Sequence, residues 1–140
     1  MSVIKSFRDL VVWQKAVDLV VKCYAVTKRF PATERYGLAS QIQRAAVSIA
    51  ANIAEGHGRN GPAVFLHHLS ISRGSLRELE TELILGNRLG YIKDETFHEL
   101  AAATDEIARM LYGLSAKVSA SRSVAGSDGS EQRADSKRAS

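Results

Sequence analysis

At 140 residues and 15.2 kDa the chain is the size of one ordinary domain, long enough to bury a core without disulfides or metal. Its 45% hydrophobic and 24% charged composition is that of a globular protein, and no apolar run approaches the roughly 20 residues that a membrane helix needs. Cys23 is the sole cysteine, which excludes an internal disulfide and a cysteine-based zinc site, and a net charge of +4 is compatible with an anionic partner without requiring one.

Residues 1–7 carry no apolar stretch followed by a small-residue cleavage site, so a cytoplasmic location is expected, with no membrane association. A first helix is predicted over residues 9–28. Ser6 with Asp9 resembles a capping box, and Phe30 and Pro31 end the segment. Its apolar positions form two adjacent stripes, Trp13, Val17, Val20 and Tyr24 beside Val12, Ala16, Leu19, Cys23 and Val26, leaving Gln14, Lys15, Asp18 and Lys22 to water. Cys23 lies among valines and reads as a buried structural thiol.

A second helix over 34–55 repeats Leu38, Ile42, Ala45, Ile49 and Ile53, with many alanines that let a neighbour approach closely. A third begins near Pro62 and runs to about 89 through Leu69, Ser72, Leu76, Leu79, Leu83 and Gly86, with Gly90 as a left-handed stop. A fourth, capped at Asp94, carries Phe97, Leu100, Thr104, Ile107, Leu111, Leu114 and Val118 at the same alternating spacings of three and four. No stretch alternates as a half-buried strand does, and two short connections force antiparallel neighbours. The expected fold is therefore all-α: an antiparallel up-and-down four-helix bundle over residues 1–119. Residues 120–140, Ser-, Ala- and Gly-rich with Val124 as their only large apolar residue, are expected to form a disordered tail.

The recurrent chemical signatures are few. Gly56 to Gly61 spell G-x-G-x-x-G, but a predicted helix precedes them where a dinucleotide fold has a strand, so a flexible connection is the better reading. A weaker option is a phosphate held at the start of the third helix near His57 and Arg59. Glu95 and His98 form one E-x-x-H unit where a di-iron bundle needs two, and adjacent His67 and His68 diverge by about 100° on a helix. No metal, cofactor or catalytic residue is expected, and the protein is expected not to be an enzyme.

Charge is unevenly spread: residues 1–62 hold nine Lys or Arg against four Asp or Glu, and residues 63–119 hold six against eight. Opposite halves of this kind attract within a fold or between subunits, or leave one face basic for nucleic acid. Candidate nucleic-acid contacts are Arg44, Arg59, Arg73 and Arg77. No aromatic platform is expected beside them, since Trp13, Tyr24 and Phe65 fall on predicted core stripes. Gln41, Arg44, Ser48, Asn52 and Glu55 make a polar stripe on the second helix. It is either a solvated face or a subunit seam in which Arg44 pairs with Glu78, Glu80 or Glu82 of another copy.

Read as strings, FRDLVVWQKA from Phe7, YGLASQIQRAAVSIAANIAEG from Tyr36, FLHHLSISRGSLRELETEL from Phe65 and LGYI from Leu89 resemble the bacterial four-helix bundle proteins first recognised in intervening sequences of 23S ribosomal RNA genes. The chain is also similar to the accessory variability protein of diversity-generating retroelements. The resemblance covers about residues 3–118, is carried most strongly by 44–56 and 72–83, and departs from the family at Ala50, where proline is frequent. It implies a non-enzymatic homopentamer and, through the retroelement protein, RNA or DNA and a reverse transcriptase as partners. The leading functional expectation is an oligomeric scaffold binding nucleic acid without strong sequence preference. The alternative is a protein-interaction adaptor with no nucleic-acid role.

Overall fold

Ser6 closes the reciprocal cap that its spacing to Asp9 predicts: the hydroxyl accepts from the Arg8 amide at 3.2 Å, and the Ser6 amide donates to Asp9 Oδ2 at 3.2 Å. The box caps a 3₁₀ turn at Phe7–Asp9, and helix α1 follows at Val11–Thr27, so the helix expected from residue 9 starts slightly later. This computed structural model describes residues 6–58 and 61–138, with side chains described through Arg122.

Of the two stripes predicted on α1, the second forms the centre of the core: Val12, Ala16, Leu19 and Cys23 are buried, with Thr27 continuing the line. Trp13, Val17 and Val20 flank it, whereas Tyr24 is 46% exposed. Thr27 tolerates burial because its hydroxyl donates to the Cys23 carbonyl at 2.9 Å and accepts from Gln43 Nε2 at 3.0 Å.

Helix α2 spans Leu38–His57, beginning four residues after the expected 34. The reason is Glu34 itself, which lies in a 3₁₀ turn at Ala32–Glu34 and uses Oε2 to accept from the Leu38 amide at 3.0 Å. Ala50 sits buried in an unbroken helix. Helix α3 spans Pro62–Arg88 with proline in its first turn. It ends in a Schellman motif: Gly90 at φ +81° lets the Tyr91 amide donate to the Gly86 carbonyl at 2.9 Å and its own amide to Asn87 at 3.0 Å.

Helix α4 spans Asp94–Arg138. Asp94 is its first residue rather than its cap, and Oδ1 accepts from Asn87 Nδ2 at 2.8 Å, tying the end of α3 to the start of α4. Among the described residues, the last α4 side chain packed on the core is Val118. Of the residues assigned to a tail from 120, those at 120–122 are exposed. The segment continues the helical backbone of α4 to Arg138, and its side chains past Arg122 lie outside the described residues.

Each helix packs on its neighbours in sequence, and α1 closes the ring on α4, with no such contact across either diagonal among the described residues. The antiparallel sense is visible in paired levels, Asn52 with His68 and Ser48 with Ser75 across α2–α3, and Lys15 with Glu106 across α1–α4. Leu19, Ile42, Ile49, Ile53, Leu69, Leu79, Leu83, Leu100, Ile107 and Leu111 fill the centre. Every seam residue predicted for α2 and α3 is buried. No described helix is long and apolar enough to cross a membrane.

The tightest approach is between α2 and α3. A methyl added at Gly56 would stand 2.6 Å from His68 Cβ, an atom fixed to the α3 backbone. Exposed Gly74, in the middle of α3, has open space around the same position. Gly56→Ala is therefore expected to lose about 1–3 kcal/mol through overpacking, and Gly74→Ala to gain about 0.5–1 kcal/mol from helix propensity. Urea unfolding of the two variants checks the pair, and equal effects at both sites would contradict the close approach.

Candidate functional site

The polar stripe predicted on α2 divides. Gln41, Arg44 and Glu55 are exposed, but Ser48 and Asn52 turn toward α3. Ser48 Oγ pairs with Ser75 Oγ at 2.7 Å, and Asn52 donates to Ser48 while its Oδ1 meets His68 Nδ1 at 3.0 Å. Ser72 completes the set by donating to the Ile49 carbonyl at 2.9 Å. Short polar side chains on facing helices thus satisfy each other within one protomer, with Ser48 and Asn52 half-buried between α2 and α3.

Of the acids expected to pair with Arg44, Glu78 is exposed, whereas Glu82 is only 4% exposed and its Oε2 has no hydrogen-bond partner. Burial turns Glu82 into its own protomer. It also explains the nearby thiol: Cys23 is pushed up to about 12, first by burial and then by the Glu82 charge, which keeps it protonated and unreactive. Glu80 takes a third course, binding Arg77 of its own helix at 3.1 Å.

The basic candidates are separated by the fold. Arg44 is exposed on α2, away from the others in sequence and helix, and Arg59 lies outside the described residues. Arg73 and Arg77, one turn apart on α3, are brought together with Arg109 and Tyr112 of α4. With Leu76 and Ala108 as floor, these four side chains line an open groove of about 290 Å³. The Arg73 guanidinium lies 5.7 Å from the centroid of the Tyr112 ring, which is 67% exposed. This is an aromatic surface beside arginines, contrary to the expectation that none accompanies them. Phe65 and Trp13 do pack against the core as expected.

Arg77 and Arg109 are also available for outside contacts. The Arg77–Glu80 pair joins an exposed guanidinium, with donors left over, to a half-buried carboxylate. Glu106, one turn before Arg109, is committed across the bundle to Lys15 at 2.8 Å, and that hydrogen bond holds its carboxyl below the ordinary carboxylate value.

The other sequence candidates carry less. His57 lies edge-on to Phe65, with ring centroids 5.5 Å apart, beside a hollow at the start of α3 whose remaining candidate, Arg59, is outside the described residues. His67 and His98 are exposed, and no three His, Cys, Asp or Glu side chains gather as metal ligands among the described residues.

The model of the 23S rRNA-intervening sequence protein family matches residues 8–113. The chain belongs to that family. A search of curated proteins returned no match. Among solved structures, this family member is similar to a protein of unknown function from the S23 ribosomal protein family of Bacteroides thetaiotaomicron. The identity is 28% over 74% of this chain and 97% of that one, with a TM-score of 0.70. Neither likeness points to an enzyme family.

Within this 23S rRNA-intervening sequence protein family member, Glu82 has a measurable consequence. Burial, followed by the adjacent Glu78 carboxyl, raises it from 4.5 to about 7. Below the unfolded value the carboxyl is neutral in both states and its ionisation contributes nothing to stability. As pH rises from there to about 7 the unfolded chain ionises while the fold retains its proton, so stability is lost across that window. Glu82→Gln is accordingly expected to be more stable than the parent by about 1–3 kcal/mol above pH 7, with the gap closing toward pH 4. Denaturant unfolding at both pH values tests this, and a pH-independent difference would contradict it.

Proposed function

We propose that this chain is a non-enzymatic, oligomeric bundle of the cytoplasm that binds nucleic acid through its arginine-lined α3–α4 surface without strong sequence preference. The observation that carries the reading is the convergence of Arg73, Arg77 and Arg109 beside exposed Tyr112. Arginine forks suit phosphate oxygens, and three of them on one groove supply the sequence-independent attraction on which such binding rests. Family membership supports the class of protein and leaves its ligand to the chemistry of this groove.

The oligomeric part rests on the outer faces of α2 and α3. Val47 is exposed one turn from Arg44, and Ile71 two turns from Glu78, so apolar surface and opposite charges stand together on the side away from α4. A cation on one copy and an acid on another would pair across such a face. A single-protomer mass by light scattering at tens of micromolar would remove this part of the proposal.

The nucleic-acid part is tested by a salt titration of binding to mixed RNA and DNA. Affinity is expected to fall steeply as salt rises. Replacing Arg73 and Arg77 with alanine is expected to flatten the log–log slope by roughly one for each phosphate no longer neutralised. Undetectable binding at low salt, or a slope unchanged in the double variant, would overturn the assignment of this surface.

A further inference from the structure

We infer that the α3–α4 groove selects single-stranded nucleic acid, taking an unpaired base on the face of Tyr112 while Arg73, Arg77 and Arg109 hold the flanking phosphates. This rests on the proposed nucleic-acid reading and goes beyond it, because phosphate attraction alone does not distinguish single strands from duplexes.

Tyr112 is 67% exposed although it sits one residue from Leu111, which is fully buried in the core. Its backbone is therefore anchored by packing while its side chain stands in the groove, so little conformational freedom remains to be lost when something stacks on it. Every nucleobase has a π face, so such a platform is tolerant of sequence. Base–aromatic stacking is the main device by which single-strand binders add to phosphate contacts.

The second observation is the cation already at the ring. The Arg73 guanidinium is 5.7 Å from the Tyr112 centroid. Layers in a stacked strand are spaced by about 3.4 Å, so a base inserted between ring and guanidinium needs a separation of about 7 Å. Arg73 is exposed and long, and a shift of about 1 Å opens that space without moving either helix. The result is a base sandwiched between an aromatic face and a guanidinium plane, both of which favour stacking.

The third observation is the placement of the remaining charges. Arg77 lies one turn along α3 from Arg73, and Arg109 almost one turn along α4 from Tyr112, so cations extend along the groove from the ring. A backbone following the groove meets them in succession. A duplex keeps its bases stacked inside and presents no free face to Tyr112. It can use the arginines but not the ring.

The test is fluorescence anisotropy with a labelled single strand of about twelve nucleotides, as RNA and as DNA, against the duplex of the same sequence, using the full chain. The single strands are expected to bind roughly ten-fold more tightly than the duplex. Tyr112→Ala is expected to remove roughly that factor for single strands and to lower duplex affinity by much less, through its contact with Arg73, whereas Tyr112→Phe retains it. Equal affinity for both forms, with Tyr112→Ala neutral, overturns the inference and leaves the phosphate-based reading standing. Absence of binding to all of the oligonucleotides at low salt overturns both. Because the Tyr112 side chain is mostly outside the core, the variants are expected to keep parental helicity by circular dichroism, and Tyr112→Phe separates loss of the hydroxyl from loss of the face.

Discussion

The close contact of α2 with α3 is the constraint on which the remaining geometry depends. Gly56 presents no side chain toward α3, where an added methyl would stand 2.6 Å from His68 Cβ, and the two helices make the most extensive contact in the bundle. At that separation Ser72 reaches the Ile49 carbonyl, Ser48 reaches Ser75, and Asn52 reaches His68. These bonds set the rotation and level of α3 on α2, because a shift by one turn would leave several half-buried polar groups without partners. Once α3 is fixed in this way, its leucines face Leu100, Ile107 and Leu111 of α4, and Arg73 and Arg77 emerge beside Arg109 and Tyr112. The candidate groove is a product of core packing on the opposite side of the same helix.

Net charge by segment turns out to be a poor guide to where an anion would sit. The basic first half and the more acidic later segment meet inside the fold, as Lys15 and Glu106 show directly. The arginine cluster lies wholly in the segment with more acids than bases, because Glu82 is buried, Glu80 turns to Arg77 and Glu106 turns to Lys15. What the groove collects is three arginines, one of them paired with Glu80. The sign of a surface is therefore set by which side chains the packing withdraws, a local effect that segment sums average away.

Architecture was legible in the sequence where one signal dominates. Leucine and isoleucine at alternating spacings have a single low-energy disposition, so the seams of α2, α3 and α4 follow from the residues, as does the stop at Gly90. Legibility ended where a short polar side chain had two outlets. Ser48 and Asn52 fit a solvated stripe by periodicity, yet each finds a partner on α3 that only the assembled pair supplies. Glu34 offered a helical start but serves as the cap of the helix that follows. Glu82, next to Leu83, falls within the buried arc although its charge argues for water. Tyr112 was missed because its arginine neighbours Arg73 and Arg77 lie on another helix, and nothing local to α4 marks it except Arg109 three residues earlier.

Native-state hydrogen exchange of the free protein tests the central constraint most directly. If the α2–α3 contact organises the bundle, the slowest amides lie on the facing turns of those two helices, around residues 45–53 and 69–76. They then exchange only with global unfolding, while α1 and the outer part of α4 open at lower cost. Slowest exchange in α1 and α4, with α2 and α3 separating first, would contradict it.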